Sequence, residues 1–344
     1  MSVAHAITSA AVPRLPLVTL YLTERCNSRC VTCDYWRTGR DHLTLAKLEA
    51  MLPDLRKLGT RIGLLSGGEP LLNPEWRAIA SALRDAGIER WLLTSGLSLA
   101  KHATTVAELF DAVTVSLDGA CAATYQAIRG LDAFDVVCEG ITALTRAGLA
   151  PGVRVTVQRA NYREMPQLVR LARRLGARQI SFLAVDVGNP HAFGRDTPFL
   201  EGLALRREDV ADLVAVIRVM RSELAQEFPN GFIAESPEKL ARLPAYFAAL
   251  LGDGAFPRVR CNAPEFSAVV GVHGALSPCF FIPGPEPSGG SAQLEHALDA
   301  TAMRALRDDI RAGRRPECAR CVCSLWRNPS EWPTLSVPSG RARA

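Results

Sequence analysis

The sequence predicts an α/β protein built around a partial (β/α)6 TIM-like barrel. Short apolar runs rich in strand-forming residues alternate with segments that have the spacing of amphipathic helices, giving six units within about 185 residues. Polar or glycine-rich motifs follow several of the strands. Strands that alternate with helices form a parallel sheet with right-handed crossovers, and ligands bind at its carboxyl edge. We therefore expect these motifs to meet at one end of the barrel.

The barrel elements are predicted in order from local signals. The uninterrupted apolar run over 15–22 is typical of a buried strand. A helix is predicted over 44–57, where leucines recur three and four residues apart, and Gly59 ends it. The same signals predict strands at 61–66, 90–94, 112–117, 153–158 and 179–184, and helices at 74–86, 133–147 and 163–175.

The second half of the chain has a different pattern. Residues 186–203 are rich in Gly, Pro, Asn and Asp and predict a loop. Helices follow at 207–227, 237–251 and 299–311, and a β-hairpin is predicted between positions 261 and 279. The chain is thereby divided into a barrel (15–187), a loop and helical connector (188–255), a small C-terminal domain (256–328) and a tail (329–344).

Composition excludes several classes of partner. The net charge is +5 and the basic residues are scattered, so no nucleic-acid partner is expected. No run approaches the roughly 20 apolar residues of a membrane span, so no membrane partner is expected. The first residues lack the pattern of a signal peptide, which predicts a cytoplasmic protein. In that reducing compartment, ten cysteines favour metal ligands, catalytic thiols or small core residues over disulfides.

Three of these cysteines, Cys26, Cys30 and Cys33, form a CxxxCxxC motif directly after the first strand. Three thiolates would leave one iron of a four-iron cluster open to a small molecule. A zinc site would need a fourth ligand, and the nearest candidates, Asp34 and His42, do not form a familiar zinc knuckle. The motif therefore favours an iron–sulfur cluster.

A second motif, SGGEP, follows the second predicted strand. Gly67 and Gly68 allow a backbone to approach closely, and the carboxylate of Glu69 can accept hydrogen bonds from an ammonium group. The structural alternative is a tight strand-to-helix turn before Pro70.

Together the segments TERCNSRCVTCDYW, SGGEPLLNP and SLDG resemble the radical S-adenosylmethionine (SAM) superfamily. The resemblance implies a [4Fe-4S] cluster on Cys26, Cys30 and Cys33, with SAM bound at the open iron. It also implies an external one-electron reductant, such as flavodoxin or ferredoxin, and cleavage of SAM to a 5'-deoxyadenosyl radical. Many members carry an aromatic residue before the third cysteine, near adenine, where this chain has Thr32. The Tyr-Trp pair two residues after Cys33 is a candidate replacement.

The same resemblance implies further contacts with SAM. Gly67, Gly68 and Glu69 match the motif that binds the methionine amine. Ser116 and Asp118 match ribose-binding positions, and Ser95 is a further candidate for SAM binding. Turn formation is the structural alternative for the SLDG segment. Arg154 and Gln158 are candidates for the SAM carboxylate.

The C-terminal cysteines resemble a second family feature. Cys261, Gly274 and Cys279 have the spacing C-x12-G-x4-C, which is similar to the opening of SPASM and twitch extensions. The resemblance implies a small twitch-like iron–sulfur domain with a second, auxiliary [4Fe-4S] cluster. Its predicted ligands are Cys261, Cys279, Cys318 and Cys321. Cys323 is a substitute for Cys321, a thiol hydrogen donor or a packing residue, and structural zinc is the alternative to the cluster.

Two cysteines are candidates for catalysis. Cys121 follows SLDG closely, and some epimerases of the family use a thiol to return hydrogen to a substrate radical. Cys323 is the other candidate. A small packing residue is the alternative for both.

The substrate is predicted from what precedes the first strand. Relatives that modify peptides often carry a recognition domain there, whereas about 15 residues precede the strand in this sequence. This favours a small polar metabolite (a sugar, aminocyclitol or nucleoside) in a biosynthetic pathway, with oxidation, epimerisation or decarboxylation as the outcome. The alternatives are maturation of a ribosomally made peptide with a separate recognition protein, and a non-catalytic zinc-binding protein.

Overall fold

A computed structural model of the chain describes residues 15–37, 39–193, 202–285, 294–323 and 325–334. Its strands are β1 (Leu17–Thr23), β2 (Ile62–Gly67), β3 (Glu89–Thr94), β4 (Ala112–Ser116), β5 (Gly152–Val157), β6 (Gln179–Ala184), β7 (Ser267–Val270) and β8 (Leu276–Ser277). They form one sheet in the order β6-β5-β4-β3-β2-β1-β7-β8. Every neighbouring pair from β6 to β7 is parallel, and β8 is antiparallel to β7. This confirms the α/β class and the parallel six-stranded core.

The helices cover the outer face of this sheet and extend beyond it. They are α1 (Leu45–Lys57), α2 (Trp76–Asp85), α3 (Leu99–Leu109), α4 (Ala122–Arg129), α5 (Phe134–Arg146), α6 (Met165–Arg174), α7 (Arg207–Glu223), α8 (Pro237–Leu240), α9 (Arg242–Leu250), α10 (Ala263–Phe266), α11 (Leu294–Asp299), α12 (Thr301–Arg311) and α13 (Pro316–Ala319). The predicted barrel helices are confirmed to within about two residues at each end. Two short helices, α8 and α9, occupy the span predicted as one helix.

Two barrel helices, α3 and α4, are additional to those predicted. Helix α4 has eight residues, and its buried side chains are Tyr125 and Ile128. Two buried positions are too few to give a helical period, while the turn residues of SLDG dominate the local pattern.

The two faces of the barrel strands have different environments. In β1, Val18, Leu20 and Leu22 are fully buried in the core beneath the helices. Because successive residues of a strand point to opposite faces, Leu17 and Thr19 point inward, where they line a cavity. The inner face of the barrel is thus available to a ligand.

The predicted hairpin is confirmed, but its first strand joins the barrel sheet. Strand β7 pairs in parallel with β1, with Leu17 opposite Ser267 and Leu20 opposite Val270. The hairpin turn contains Gly274 at φ 90°, a conformation that favours glycine. The C-terminal cysteines are therefore attached to the barrel through a shared sheet. No helix within the described ranges has the length and apolar character needed to cross a bilayer.

Candidate cluster and cofactor site

The cysteine loop, residues 24–37, leaves the carboxyl end of β1. Within it Cys30 is buried, and Cys26 and Cys33 are half-buried. Burial raises the pKa of the Cys26 thiol to about 11, so its thiolate needs a positively charged partner such as iron. Three soft sulfur ligands on one short loop fit an iron–sulfur cluster.

The spacing of candidate ligand atoms identifies one closely packed set in the described part of the chain. Sulfur ligands at about 2.3 Å from a tetrahedral zinc ion lie roughly 3.8 Å from one another. Among the described residues, the only three such ligand atoms that all lie within 4.8 Å of one another belong to Glu24, Asp41 and His273. This set contains no cysteine. Structural zinc remains the alternative to the auxiliary cluster on the late cysteines.

The cysteine loop is docked on the carboxyl end of α4. The backbone N–H groups of Arg29 and Val31 donate to the carbonyl oxygens of Arg129 and Ile128, both at 3.0 Å. Gly130 follows the helix at φ 71°, and a Cβ there would lie 2.4 Å from the Arg29 carbonyl oxygen. These contacts fix the backbone on both sides of Cys30.

Arg129 also binds the cysteine side chain. Its Nη1 donates to Cys30 Sγ at 3.4 Å, and its Nη2 lies 2.7 Å from Asp118 Oδ2. Burial opposes the charged guanidinium, but Asp118 and Cys30 outweigh it and raise the pKa of Arg129. Arg129 was not among the predicted site residues, because it ends a helix that was not predicted.

Asp118, predicted to bind the SAM ribose, is buried and already has two protein partners. Besides Arg129, its Oδ1 accepts the backbone N–H of Thr156 at 2.7 Å. A carboxylate oxygen has a second lone pair, so these contacts leave capacity for a ribose hydroxyl. The ribose contact remains a prediction.

Glu69 is fully buried among hydrogen-bond donors. Its Oε1 accepts from Thr94 Oγ1 at 2.8 Å and from the Leu71 N–H at 3.2 Å, and its Oε2 accepts from the Ser95 N–H at 2.7 Å. Burial raises the pKa of Glu69 despite these bonds. A cationic ligand such as an amine would favour its ionised form.

Gly67 and Gly68 bring this motif against the cysteine loop. Gly67 has φ 113°, and a Cβ on Gly68 would lie 2.1 Å from the carbonyl oxygen of Arg25. The Gly68 N–H donates to the Thr23 carbonyl oxygen at 2.7 Å, and the Glu69 N–H donates to the Arg25 carbonyl oxygen at 2.8 Å. The absence of side chains at these glycines therefore lets the SGGEP motif contact the backbone of the cysteine loop.

Other predicted SAM contacts lie around the same strand ends. Ser95 Oγ donates to Asn27 Oδ1 in the cysteine loop at 3.3 Å. Ser116 ends β4, on the same face as the cavity-lining Thr114. Gln158 is fully buried, and neither atom of its side-chain amide has a partner. An orphaned buried amide fits a polar ligand at this place.

The aromatic pair near the third cysteine has two different environments. The Tyr35 ring packs edge-on against Tyr21, with ring centroids 5.9 Å apart. The Trp36 Nε1 is buried without a hydrogen-bond partner, and Arg37 lies 4.2 Å from its ring centroid. A contact of either ring with adenine remains a prediction.

The late cysteines meet around one cavity, the lumen cavity, of about 1350 Å³ between the inner barrel face and the C-terminal segment. The five that line it are Cys261, Cys279, Cys318, Cys321 and Cys323. Burial raises the pKa of the Cys279 thiol to about 12 and also raises the pKa of Cys318, Cys321 and Cys323. Because all five lie together, the choice of four cluster ligands remains a prediction.

Asn262 joins the two chain segments that carry these cysteines. Its N–H donates to the Leu325 carbonyl oxygen at 3.0 Å, and its Nδ2 donates to the Arg327 carbonyl oxygen at 2.8 Å. Its Oδ1 accepts the Arg327 N–H at 2.9 Å. The amide thereby holds the residue after Cys261 against the residues that follow Cys323.

Cys121, a candidate hydrogen donor, lies at the start of α4. It is exposed, and its Sγ is 3.5 Å from Thr124 Oγ1 and 3.9 Å from Glu164 Oε1. It is not among the residues that line the lumen cavity, whereas Cys323 is. Their catalytic roles remain predictions.

Comparison with known proteins identifies the barrel. The family model described as "Radical SAM superfamily" matches residues 20–186, which include the cysteine loop and end just after β6. The probable GTP 3',8-cyclase of Saccharolobus solfataricus is 30% identical over 224 residues, covering 62% of this chain and 71% of that protein. The pre-heme d1 synthase of Dinoroseobacter shibae is 34% identical over 162 residues.

The extent of these similarities differs. The match to the pre-heme d1 synthase covers 45% of this chain and 40% of that protein, so the chain spans less than half of this relative. Among solved structures, Streptococcus suis SuiB bound to the precursor peptide SuiA superposes with a TM-score of 0.66 at 13% identity. The superposition covers 92% of this chain and 72% of that one, and it shows a shared fold.

Proposed function

Because the chain belongs to the radical SAM superfamily of enzymes, we propose that it cleaves SAM reductively and abstracts hydrogen from a substrate held in the lumen cavity. The observation that carries the proposal is the docking of the Cys26, Cys30 and Cys33 loop on α4, directly beside the buried carboxylate of Glu69. The carboxylate of Glu69, which can bind the amine of SAM, thus lies next to three thiols that can bind iron.

The protein residues have distinct tasks in this proposal. Cys26, Cys30 and Cys33 would hold a [4Fe-4S] cluster, which would supply the electron for cleavage of SAM when an external reductant such as flavodoxin or ferredoxin is present. Glu69 accepts the methionine amine, and the orphaned amide of Gln158 binds another polar group of SAM. Arg129 holds Cys30 in place by its hydrogen bond.

We place a second, auxiliary [4Fe-4S] cluster on Cys261, Cys279, Cys318 and Cys321. Support comes from their common position at the lumen cavity. A cluster there would lie beside the substrate, where it can exchange an electron during oxidation, epimerisation or decarboxylation.

The substrate class we favour is a small polar metabolite, such as a sugar, aminocyclitol or nucleoside. The names of the two relatives, a GTP cyclase and a haem d1 precursor synthase, refer to non-peptide products or substrates and agree with this choice. Maturation of a peptide is the second candidate, because about 1350 Å³ exceeds the ~300–1,000 Å³ of most small-molecule pockets.

The deciding experiment is anaerobic purification followed by iron and sulfide counting and assay of 5'-deoxyadenosine and methionine under strong reduction. We expect about eight irons per chain, falling to about four when Cys26, Cys30 and Cys33 are all changed to Ala. SAM cleavage should be lost in that variant. Cys138→Ala, which changes a half-buried cysteine on α5 outside both groups, is the matched control and should keep both.

Other outcomes would contradict specific parts of the proposal. Four irons that disappear in the triple variant would remove the auxiliary cluster. Zinc without iron, or wild-type protein that forms no 5'-deoxyadenosine, would overturn the enzyme proposal. Stimulation of SAM cleavage by the peptide fraction of a cell extract, and not by its low-mass fraction, would favour peptide maturation.

A further inference from the structure

Several arginines that line the lumen cavity have no ion pair among the described residues. Four arginines line it without an ion pair among the described residues: Arg154, Arg178, Arg258 and Arg327. A fifth, Arg311, is paired with Glu265 and Asp308. The carboxylate that lines the cavity, Glu317, is paired with Arg315. The side chains that line this cavity thus carry more positive than negative charge, and the carboxylate of Glu235 interacts electrostatically with Arg154.

Arg178 is the least compensated of these groups. It directly precedes β6 and is half-buried, and its Nε is buried without a hydrogen-bond partner. Burial lowers the pKa of its guanidinium, and no carboxylate opposes this effect. Buried N–H groups without an acceptor are rare in proteins, and a ligand or a water molecule usually accepts their hydrogen bond.

Arg154, which the sequence made a candidate for the SAM carboxylate together with Gln158, lies on the neighbouring strand and lines the lumen cavity, whereas Gln158 does not. The register of β5 and β6 places Gly152 opposite Gln179 and Arg154 opposite Ser181. Arg178 lies just before β6 begins, three positions from Ser181 and roughly 10 Å from Arg154 along the strand direction. Both arginines line the lumen cavity. Two long guanidinium side chains at this separation can reach one anionic group from two sides, or two groups of one ligand.

We infer that the lumen cavity binds an oxyanion group of the substrate, a carboxylate or a phosphate, with Arg178 and Arg154 as its principal contacts. The planar guanidinium fork matches both groups, and a recessed cavity strengthens the attraction. SAM is not the expected anion for Arg178, because Gly67, Glu69, Ser95, Asp118 and Gln158 do not line this cavity. The inference rests on the proposed function in treating the bound anion as part of the substrate.

The test measures binding of two probes, inorganic pyrophosphate and citrate, to the purified full chain without SAM by isothermal titration calorimetry. Arg178→Gln and Arg154→Gln should each weaken probe binding about tenfold, because each removes a charge-assisted contact. Arg178→Lys should retain part of the affinity. The matched control is Arg218→Gln, which makes the same charge change at an exposed position on α7 and should bind as wild type does.

The outcomes separate the sources of the anion. Tighter binding of pyrophosphate would indicate a phosphate group, and tighter binding of citrate would indicate a carboxylate. Failure of the wild type to bind either probe at millimolar concentration would overturn the inference, as would equal weakening by Arg218→Gln. Binding at low salt should also weaken as ionic strength rises.

A parallel assay distinguishes this inference from the proposed function. Formation of 5'-deoxyadenosine without substrate should be the same in Arg178→Gln and in the wild type, because Arg178 lies outside the SAM contacts. If the wild type forms none, the proposed function fails while the probe titration still decides whether an anion site exists.

Discussion

Buried charges at single residues define the candidate site. Glu69 is fully buried, and burial raises its pKa even though three donors surround it. The Arg129 side chain, only 12% exposed, lies between the Asp118 carboxylate and the Cys30 sulfur. Breaking a buried ion pair on one side costs about 3–5 kcal/mol, so neither Arg129 nor Asp118 is a replaceable surface charge. The Glu69 carboxylate therefore favours a cationic ligand, and the Arg129 guanidinium favours a negatively charged group at Cys30.

For Glu69 we predict pH-dependent binding of SAM. The ionised carboxylate attracts the methionine ammonium, and its pKa is raised, so SAM affinity should be full above that pKa and fall as pH decreases through it. Glu69→Gln should weaken SAM binding about 10- to 100-fold and remove this pH dependence. Equilibrium dialysis of SAM over a descending series of pH values tests both statements. An affinity within twofold of wild type in the variant would contradict the assigned role.

At the level of elements, the short helix α4 acts as the support of the cysteine loop. Its last two carbonyl groups accept N–H groups on either side of Cys30, and its last side chain binds the Cys30 sulfur. The helix ends at Gly130, where the loop passes so closely that a side chain has no space. The geometry of the triad thus depends on an element about 100 residues away in the sequence.

We predict that Gly130→Ala damages this support. Alanine in the left-handed backbone conformation of this position costs about 1–2 kcal/mol. Its Cβ would also lie 2.4 Å from the Arg29 carbonyl oxygen. Gly148→Ala is the matched control, because Gly148 has φ 91° and no atom within 4 Å of the added Cβ. Both variants should lose stability in urea unfolding, but Gly130→Ala should lose more and should also lose iron from the triad. Equal iron content in the two variants would be evidence against the support.

At the level of the whole molecule, the C-terminal segment completes the barrel. Strand β7 extends the parallel sheet beside β1, and the late cysteines line the lumen cavity beside the inner barrel face. The two cysteine groups are therefore held by different contacts: α4 holds the early group, while Asn262 ties together the segments of the late group. A substitution that disturbs one group of cysteines should therefore remove iron from that group and leave the iron of the other group in place.

The substitution Asn262→Ala tests this independence. It removes two side-chain hydrogen bonds to Arg327, so the auxiliary site should lose its iron while the triad keeps its own. Iron should fall from about eight to about four per chain, with SAM binding unchanged. Asn328→Ala, at an exposed neighbouring asparagine, is the control and should leave the iron content unaltered. Loss of both clusters in Asn262→Ala would show that the two sites assemble together.

Local patterns were sufficient to predict much of this molecule. The apolar runs and leucine spacings predicted β1 to β6 and most helices, because periodicity of two or 3.6 residues is encoded in adjacent positions. The spacing of Cys26, Cys30 and Cys33 and their place after β1 likewise depend on a few consecutive residues. The eight residues of α4 contain too few buried positions for the same reasoning, so the support of the triad was missed.

The sequence by itself determined the order of the barrel strands, the cysteine triad and the position of Glu69 after β2. Only the tertiary structure decided that Arg129 reaches Cys30, that β7 pairs with β1, and that Arg154 and Arg178 share a cavity. The physical reason is that these contacts join residues far apart in the chain and depend on strand register. A shift of one residue in register would turn an inward side chain to the opposite face.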